Sequence, residues 1–228
     1  MPSSKVVSEK YRLLADRQMR RWDLQHRAGE TPRPKPCVAI SRLPGAGGAE
    51  VGRRVAEALD YGFFGRETVD EMERGLGLDD WLMSGLDEHV RNAIDRFVLD
   101  FFSHRQFTES DYLRHVTRAI ATLGRRGSAV IVGRGAAFIL SAEEALRVLL
   151  VAPRPARIER YAEVKGIPTE QAERMLERAE EQRGEFVQVQ FGVRQDDPLL
   201  YDLVINTARF GFENSANLIL EAMRSRFS

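Results

Sequence analysis

The sequence predicts a three-layer α/β/α domain on a parallel sheet, and three observations carry that expectation. Strand and helix signals alternate from residue 37 onward. The runs Ser128–Val132, Leu146–Val151 and Leu203–Ile205 are continuously apolar, as strands are when helices cover both faces. The first strand signal, Cys37–Ser41, runs straight into a glycine-rich turn and an amphipathic helix. In folds of this class ligands bind beyond the carboxyl ends of the strands.

Taken in order, residues 5–28 space Tyr11, Leu14, Met19 and Trp22 helically among Arg12, Arg17, Arg20, Arg21 and Arg27, which predicts a basic amphipathic helix. That helix packs on its own domain, or docks on a second subunit, a partner or an acidic surface. Thr31-Pro-Arg-Pro-Lys-Pro36 ends it and favours an extended spacer, so residues 1–36 form an appendage to a domain spanning 37–228. Within the domain, Ala49–Leu59 is helical, Tyr61–Phe64 a short strand and Glu67–Gly75 helical. Residues 67–126 make a helical insertion, with Val90, Ile94, Phe97, Val98, Phe101 and Phe102 as an apolar face. Later helices fall at Pro155–Lys165, closed by Gly166, at Thr169–Arg183 and at Glu213–Phe227.

Composition excludes some functions. Thirty-four basic residues balance 34 acidic ones, so no overall field recruits a nucleic acid polymer or an anionic membrane. Any anion binding must come from local placement. The single cysteine, Cys37, precludes an internal disulfide framework and reads as a small buried hydrophobe. No apolar run approaches the ~18 residues that span a bilayer, and the expectation is a cytoplasmic protein.

Three constellations carry chemistry. In the first, Ser41-Arg42-Leu43-Pro44-Gly45-Ala46-Gly47-Gly48-Ala49-Glu50 joins strand to helix, where unpaired amides and the helix dipole bind phosphate without side chains. Aligned with G-x-x-x-x-G-K-[ST], Ser41 takes the first glycine, Gly47 the second, Gly48 the lysine and Ala49 the hydroxyl. Arg42, Arg53 and Arg54 are the candidates for the missing charge, and Glu50 is a water-mediated candidate for magnesium. In the second, Gly133-Arg134-Gly135 ends an apolar strand and directs a planar guanidinium at the crevice, suited to phosphate or to a base. The third is a set of arginines, Arg157, Arg183 and Arg194, around helical segments that can close over phosphates or simply be solvated faces. Asp196-Asp197-Pro198 and Tyr201-Asp202 read as turn and cap residues.

Ser41-Arg42…Gly45-Ala46-Gly47-Gly48…Gly52, then Val132-Gly133-Arg134-Gly135-Ala136, then Tyr201-Asp202-Leu203-Val204-Ile205-Asn206-Thr207, in that order, resemble the cytidylate kinase-like family, over about residues 37–224. The resemblance implies a P-loop nucleoside monophosphate kinase fold that uses ATP and magnesium to phosphorylate a pyrimidine monophosphate. It implies that Gly45 to Gly48 hold donor phosphates, that Arg66 and Arg134 contact the acceptor, and that Arg157 to Arg194 span a lid, about residues 154–195, with Arg183 nearest the transferring group. Gly48 stands in place of the cytidylate kinase lysine, Gly135 in place of the aspartate of Gly-Arg-Asp, and Gly65 where an aspartate is usual. Two other functions remain open at this level: a nucleotide-binding relative without catalysis, signalling through the N-terminal helix, and a kinase of another small metabolite.

Overall fold

The computed structural model describes residues 34–65, 86, 88–103 and 111–227. The helices expected at 5–28 and 67–75, most of the proline spacer, and Arg66 lie outside the described residues.

Strands β1 (Cys37–Arg42), β2 (Gly62–Phe64), β3 (Ala129–Val132), β4 (Ala145–Val151) and β5 (Leu203–Asn206) pair in the order β2-β3-β1-β4-β5, and every pairing is parallel. Side chains along β1 alternate between two apolar layers, as a period of two requires. Cys37 and Ala39 face one layer with Ile131 and Leu149; Val38 and Ile40 face the other with Val130, Val132, Val148 and Leu150. Both faces are dry, which is why these strands read as unbroken apolar runs. Burial pushes the Cys37 thiol up to about 12, so it stays neutral.

Helix α1 (Gly48–Leu59) covers the second layer through Val51, Val55 and Ala56. The first layer takes α3 (Asp111–Arg126) through Val116, Ala119 and Ile120, and the short α4 (Ala136–Ile139). Helix α2 (Glu88–Ser103) buries Ile94, Val98 and Phe102. Helices α5 (Arg154–Lys165) and α6 (Thr169–Phe191) form a pair in which Ile158, Ala172 and Leu176 make a small core of their own.

Two boundaries differ from the sequence expectation. Helix α6 continues to Phe191 instead of stopping near Arg183, because Val187 and Phe191 are buried in the first layer while Gly184 faces open space. The glycine costs helix propensity without breaking the helix. The last helix, α7 (Thr207–Phe227), begins six residues before Glu213 and breaks its helical geometry at Gly211 (φ 70°, ψ 174°). Beyond the break, Ala216, Ile219 and Met223 cover the second layer.

At the end of the sheet opposite the first glycine turn, Asp202 clasps three elements. It accepts from the Arg147 amide (2.8 Å) and guanidinium (2.9 Å) in β4, and pairs with Arg226 of α7 (2.6 Å). Burial raises its pKa, but the hydrogen bonds from Arg147 and Arg226 outweigh that and hold the carboxyl below its usual value. The stabilisation is present above the unfolded-state pKa and is lost as pH falls through the lower folded value. Asp202→Asn should therefore cost about 1.5–3 kcal/mol at neutral pH and progressively less below about pH 4. Urea unfolding of both proteins across pH measures the difference.

Candidate phosphate-binding cleft

The glycine turn and Gly133-Arg134-Gly135 meet because β1 and β3 are parallel neighbours in register, with Ile40 opposite Val132. The Gly133 amide donates to the Ile40 carbonyl (2.9 Å), so both chains leave the sheet side by side. Gly47, the N-cap of α1, has φ 80° and no side chain to satisfy the first amides of the helix, and those donors are left for a ligand. A Cβ there would also strike the Phe212 ring. Thr207, at the start of α7, places its hydroxyl 3.0 Å from the Ala46 carbonyl and 3.3 Å from that of Val151. That bond gives a physical reason for a threonine after Ile205-Asn206: it ties the turn to the end of β4.

Arg134 takes a left-handed backbone (φ 54°) between Gly133 (φ 87°) and Gly135 (φ 75°). A non-glycine residue held there costs of order 1–3 kcal/mol and marks a site where geometry is imposed. Arg134 lines a cleft of about 310 Å³ with Ser41, Arg42, Tyr161, Arg183 and Gln195. Such a volume is at the lower end of small-ligand sites. Below the cleft, the Ser41 hydroxyl hydrogen-bonds the Tyr201 oxygen, and Tyr201 donates to the Gln195 carbonyl (2.8 Å). Burial pushes the Tyr201 phenol up to about 12, so it serves as a neutral donor.

Of the expected lid arginines, only Arg183 lines this cleft. Arg157 is buried, with Nε donating to the Ala152 carbonyl (2.8 Å), Nη1 donating to that of Pro44 (3.2 Å), and an ion pair to Glu180 of α6. It braces the turn, β4 and α6 against one another. Arg194 is exposed, bonds Asp196 through two nitrogens (3.1 and 2.9 Å), and lines a separate hollow beside Leu43 and Pro44. Nothing in the linear string signals this division, because the partners Glu180 and Asp196 look like ordinary helix and turn acids. Tyr161, Gln182, Phe186 and Gln195, which also line the cleft, were not singled out either. Each is one polar or aromatic side chain on α5, on α6 or just after it, without a motif of its own.

The remaining turn residues place the charge. Arg53 lies over the Phe63 ring (5.2 Å), and Arg54 bonds Glu50 (3.0 Å) within α1, so neither is directed to the turn. Arg42 crosses α1 instead: a Cβ on Gly48 would fall 2.8 Å from Arg42 Cγ, and one on Gly133 would fall 2.9 Å from Arg42 Cζ. The turn fits the phosphates of ATP. Magnesium finds less here, since Ala49 carries no hydroxyl and Glu50 is paired with Arg54. No group of three or more His, Cys, Asp or Glu that could hold a metal occurs among the described residues, and the described side chains do not build a magnesium site of their own. Nor, among them, is any helix long and apolar enough to cross a membrane.

Fold and cleft together define an α/β domain with a bare helix start and an arginine-lined cleft at the same edge of its sheet; Ser41 and Arg42 line that cleft, whereas Gly45 to Glu50 do not. The chain belongs to the cytidylate kinase-like family, which matches residues 37–209. The cytidylate kinase of Aeropyrum pernix is 30% identical over 194 residues, covering 82% of this chain and 98% of that protein. The cytidylate kinase of Methanopyrus kandleri is 27% identical over 197 residues, covering 82% and 92%. The crystal structure of an uncharacterized protein from Eubacterium ventriosum shares the fold, with a TM-score of 0.65 at 19% identity over 84% of this chain and 99% of that one.

Gly135 stands beside Phe191, whose Cε2 would lie 2.6 Å from a Cβ there. Gly135→Asp should therefore lower stability by about 1–3 kcal/mol through overpacking and the positive φ. The same change in a Phe191→Ala background should cost less than it does in the wild type, since the two side chains compete for one space. Urea unfolding of the four proteins tests this.

Proposed function

We propose that this protein transfers the γ-phosphoryl group of ATP to a nucleoside monophosphate, CMP or dCMP being the first acceptors to examine. The observation that carries the reading is that the glycine turn and Gly133-Arg134-Gly135 follow neighbouring parallel strands, β1 and β3, at one edge of the sheet, which supports a donor-phosphate cradle beside an acceptor-binding cation. In the transfer, a phosphate oxygen of the acceptor attacks the γ-phosphorus. The bond from that phosphorus to the β,γ-bridging oxygen breaks, and ADP leaves with its electron pair. The attacking oxygen is already anionic, so no general base is required, and the products are ADP and a nucleoside diphosphate.

Catalysis of this kind rests on positioning and on compensating charge at the phosphoryl oxygens. Amides at the start of α1 bind the donor, Arg134 orients the acceptor, and Arg183 approaches the transferring group from α6. Magnesium brought in on the nucleotide would supply further charge compensation there. Arg157 and Arg194 act as positioning residues, given their partners Glu180 and Asp196. A second reading, binding without turnover, is favoured by Ala49 and by the engagement of Glu50 with Arg54.

Purified protein with ATP, magnesium and a panel of nucleoside monophosphates separates the two. ADP formation with CMP or dCMP supports transfer; a thermal shift with nucleotide and no ADP supports the second reading; ADP formed only with a different acceptor moves the substrate assignment. Arg134→Ala should lower kcat/KM for the acceptor by about 100-fold while leaving KM for ATP within a few-fold. A matching loss toward ATP would place Arg134 on the donor instead.

A further inference from the structure

We propose that Arg42 does the work a lysine does in a G-x-x-x-x-G-K-[ST] loop, and that Gly48 is glycine so that Arg42 can reach across it. The inference rests on the phosphoryl-transfer reading and assigns a charge to its site.

Arg42 is the last residue of β1, opposite Leu150 of β4, and its carbonyl accepts from Gln195 Nε2 (3.2 Å). From this anchored backbone the stem runs over Gly48: Cγ, Cδ and Cβ lie 2.8, 3.0 and 3.3 Å from where a Cβ at position 48 would be. A side chain at 48 and the present path of Arg42 therefore exclude each other. The guanidinium ends against Gly133, with Cζ and Nη2 2.9 and 3.1 Å from where a Cβ there would be; a side chain at 133, already disfavoured by the φ of 87°, would push the guanidinium aside. It lines the cleft with Arg134 and Arg183.

The position is chemically specific. A lysine at residue 48 would start at the helix and extend outward, whereas Arg42 starts at the strand end and arrives over the same helix turn, between the donor cradle and Gly133-Arg134. From there a planar fork can bind oxygens of the donor and of the group in transit together, and it stays charged at any working pH. Several nearby cations are engaged by other groups: Arg53 with Phe63, Arg54 with Glu50, Arg157 with Glu180 and the Pro44 carbonyl, Arg194 with Asp196, and Arg160 over the Phe212 ring (3.8 Å).

Five variants test the assignment: Arg42→Met, which keeps a stem over Gly48 but removes the charge; Arg42→Ala; Gly48→Lys; the double Arg42→Ala/Gly48→Lys; and Arg53→Met as a control. ATP affinity by calorimetry and kcat with ATP, magnesium and the active acceptor are measured on each, with circular dichroism melts to establish folding. The expected result is at least a 100-fold fall in kcat for Arg42→Met and Arg42→Ala, little change for Arg53→Met, and a double variant at least tenfold better than Arg42→Ala. Turnover of Arg42→Met within threefold of wild type overturns the assignment. So does a folded double variant no better than Arg42→Ala. If the wild type turns over no acceptor, the phosphoryl-transfer reading fails separately, and affinity decides: a tenfold weaker ATP affinity in Arg42→Met upholds a phosphate-binding role for Arg42, and an unchanged one overturns it.

Discussion

A central strand flanked on both sides by parallel strands is the constraint from which the rest of the site follows. β1 runs between β3 and β4, so three chain segments leave the sheet together at its carboxyl edge. The backbone cannot continue its ladder there, and what it does next differs in each segment. After β1 it turns through glycines into α1, after β3 it passes through three left-handed residues around Arg134, and after β4 it enters α5 with Arg157 in the first turn. None of these segments would be adjacent in another strand order. The buried apolar layers that hold the order, each large side chain contributing about 1.5–3 kcal/mol, therefore fix the chemistry at one remove.

Arg157 shows how the helical pair beyond β4 is joined to that edge. Its guanidinium is shared among a carbonyl of the glycine turn, a carbonyl at the end of β4 and a carboxylate of α6. A buried cation held by two carbonyls and a carboxylate fixes geometry, and its removal would leave the Pro44 carbonyl without this donor and Glu180 with Arg154 as its remaining ion-pair partner. Arg183, one helical turn beyond Glu180 on α6, is thereby placed toward the cleft while Arg157 is withdrawn from it.

Much of the fold was legible in the sequence because burial on both faces leaves a plain signature in the runs around Val130 and Leu149; the third run, Leu203–Ile205, is a strand too, but it lies at the sheet edge with Val204 exposed, so its apolar character does not reflect cover on both faces. The full length of α6 was not, since Gly184 and the acidic residues around it look like a helix end until Val187 and Phe191 are seen in the core. The glycine turn and Arg134 were readable as a pair of phosphate-seeking motifs. The path of Arg42 was not, because nothing in a linear string says that a side chain at a strand end lies over a residue six positions on. Likewise Gly135 reads as a missing aspartate, and only packing shows the Phe191 ring beside it.

The break at Gly211 lets the final helix serve two surfaces. On one side of it Thr207 grips the Ala46 carbonyl; just past it Phe212 abuts Gly47. The shape of a loop near residue 46 is thus completed by residues some 160 positions later. During synthesis those residues leave the ribosome long after the opening strand, so a nascent chain exposes β1 well before the supports that shape the turn exist, and the turn takes its final form only once they have emerged.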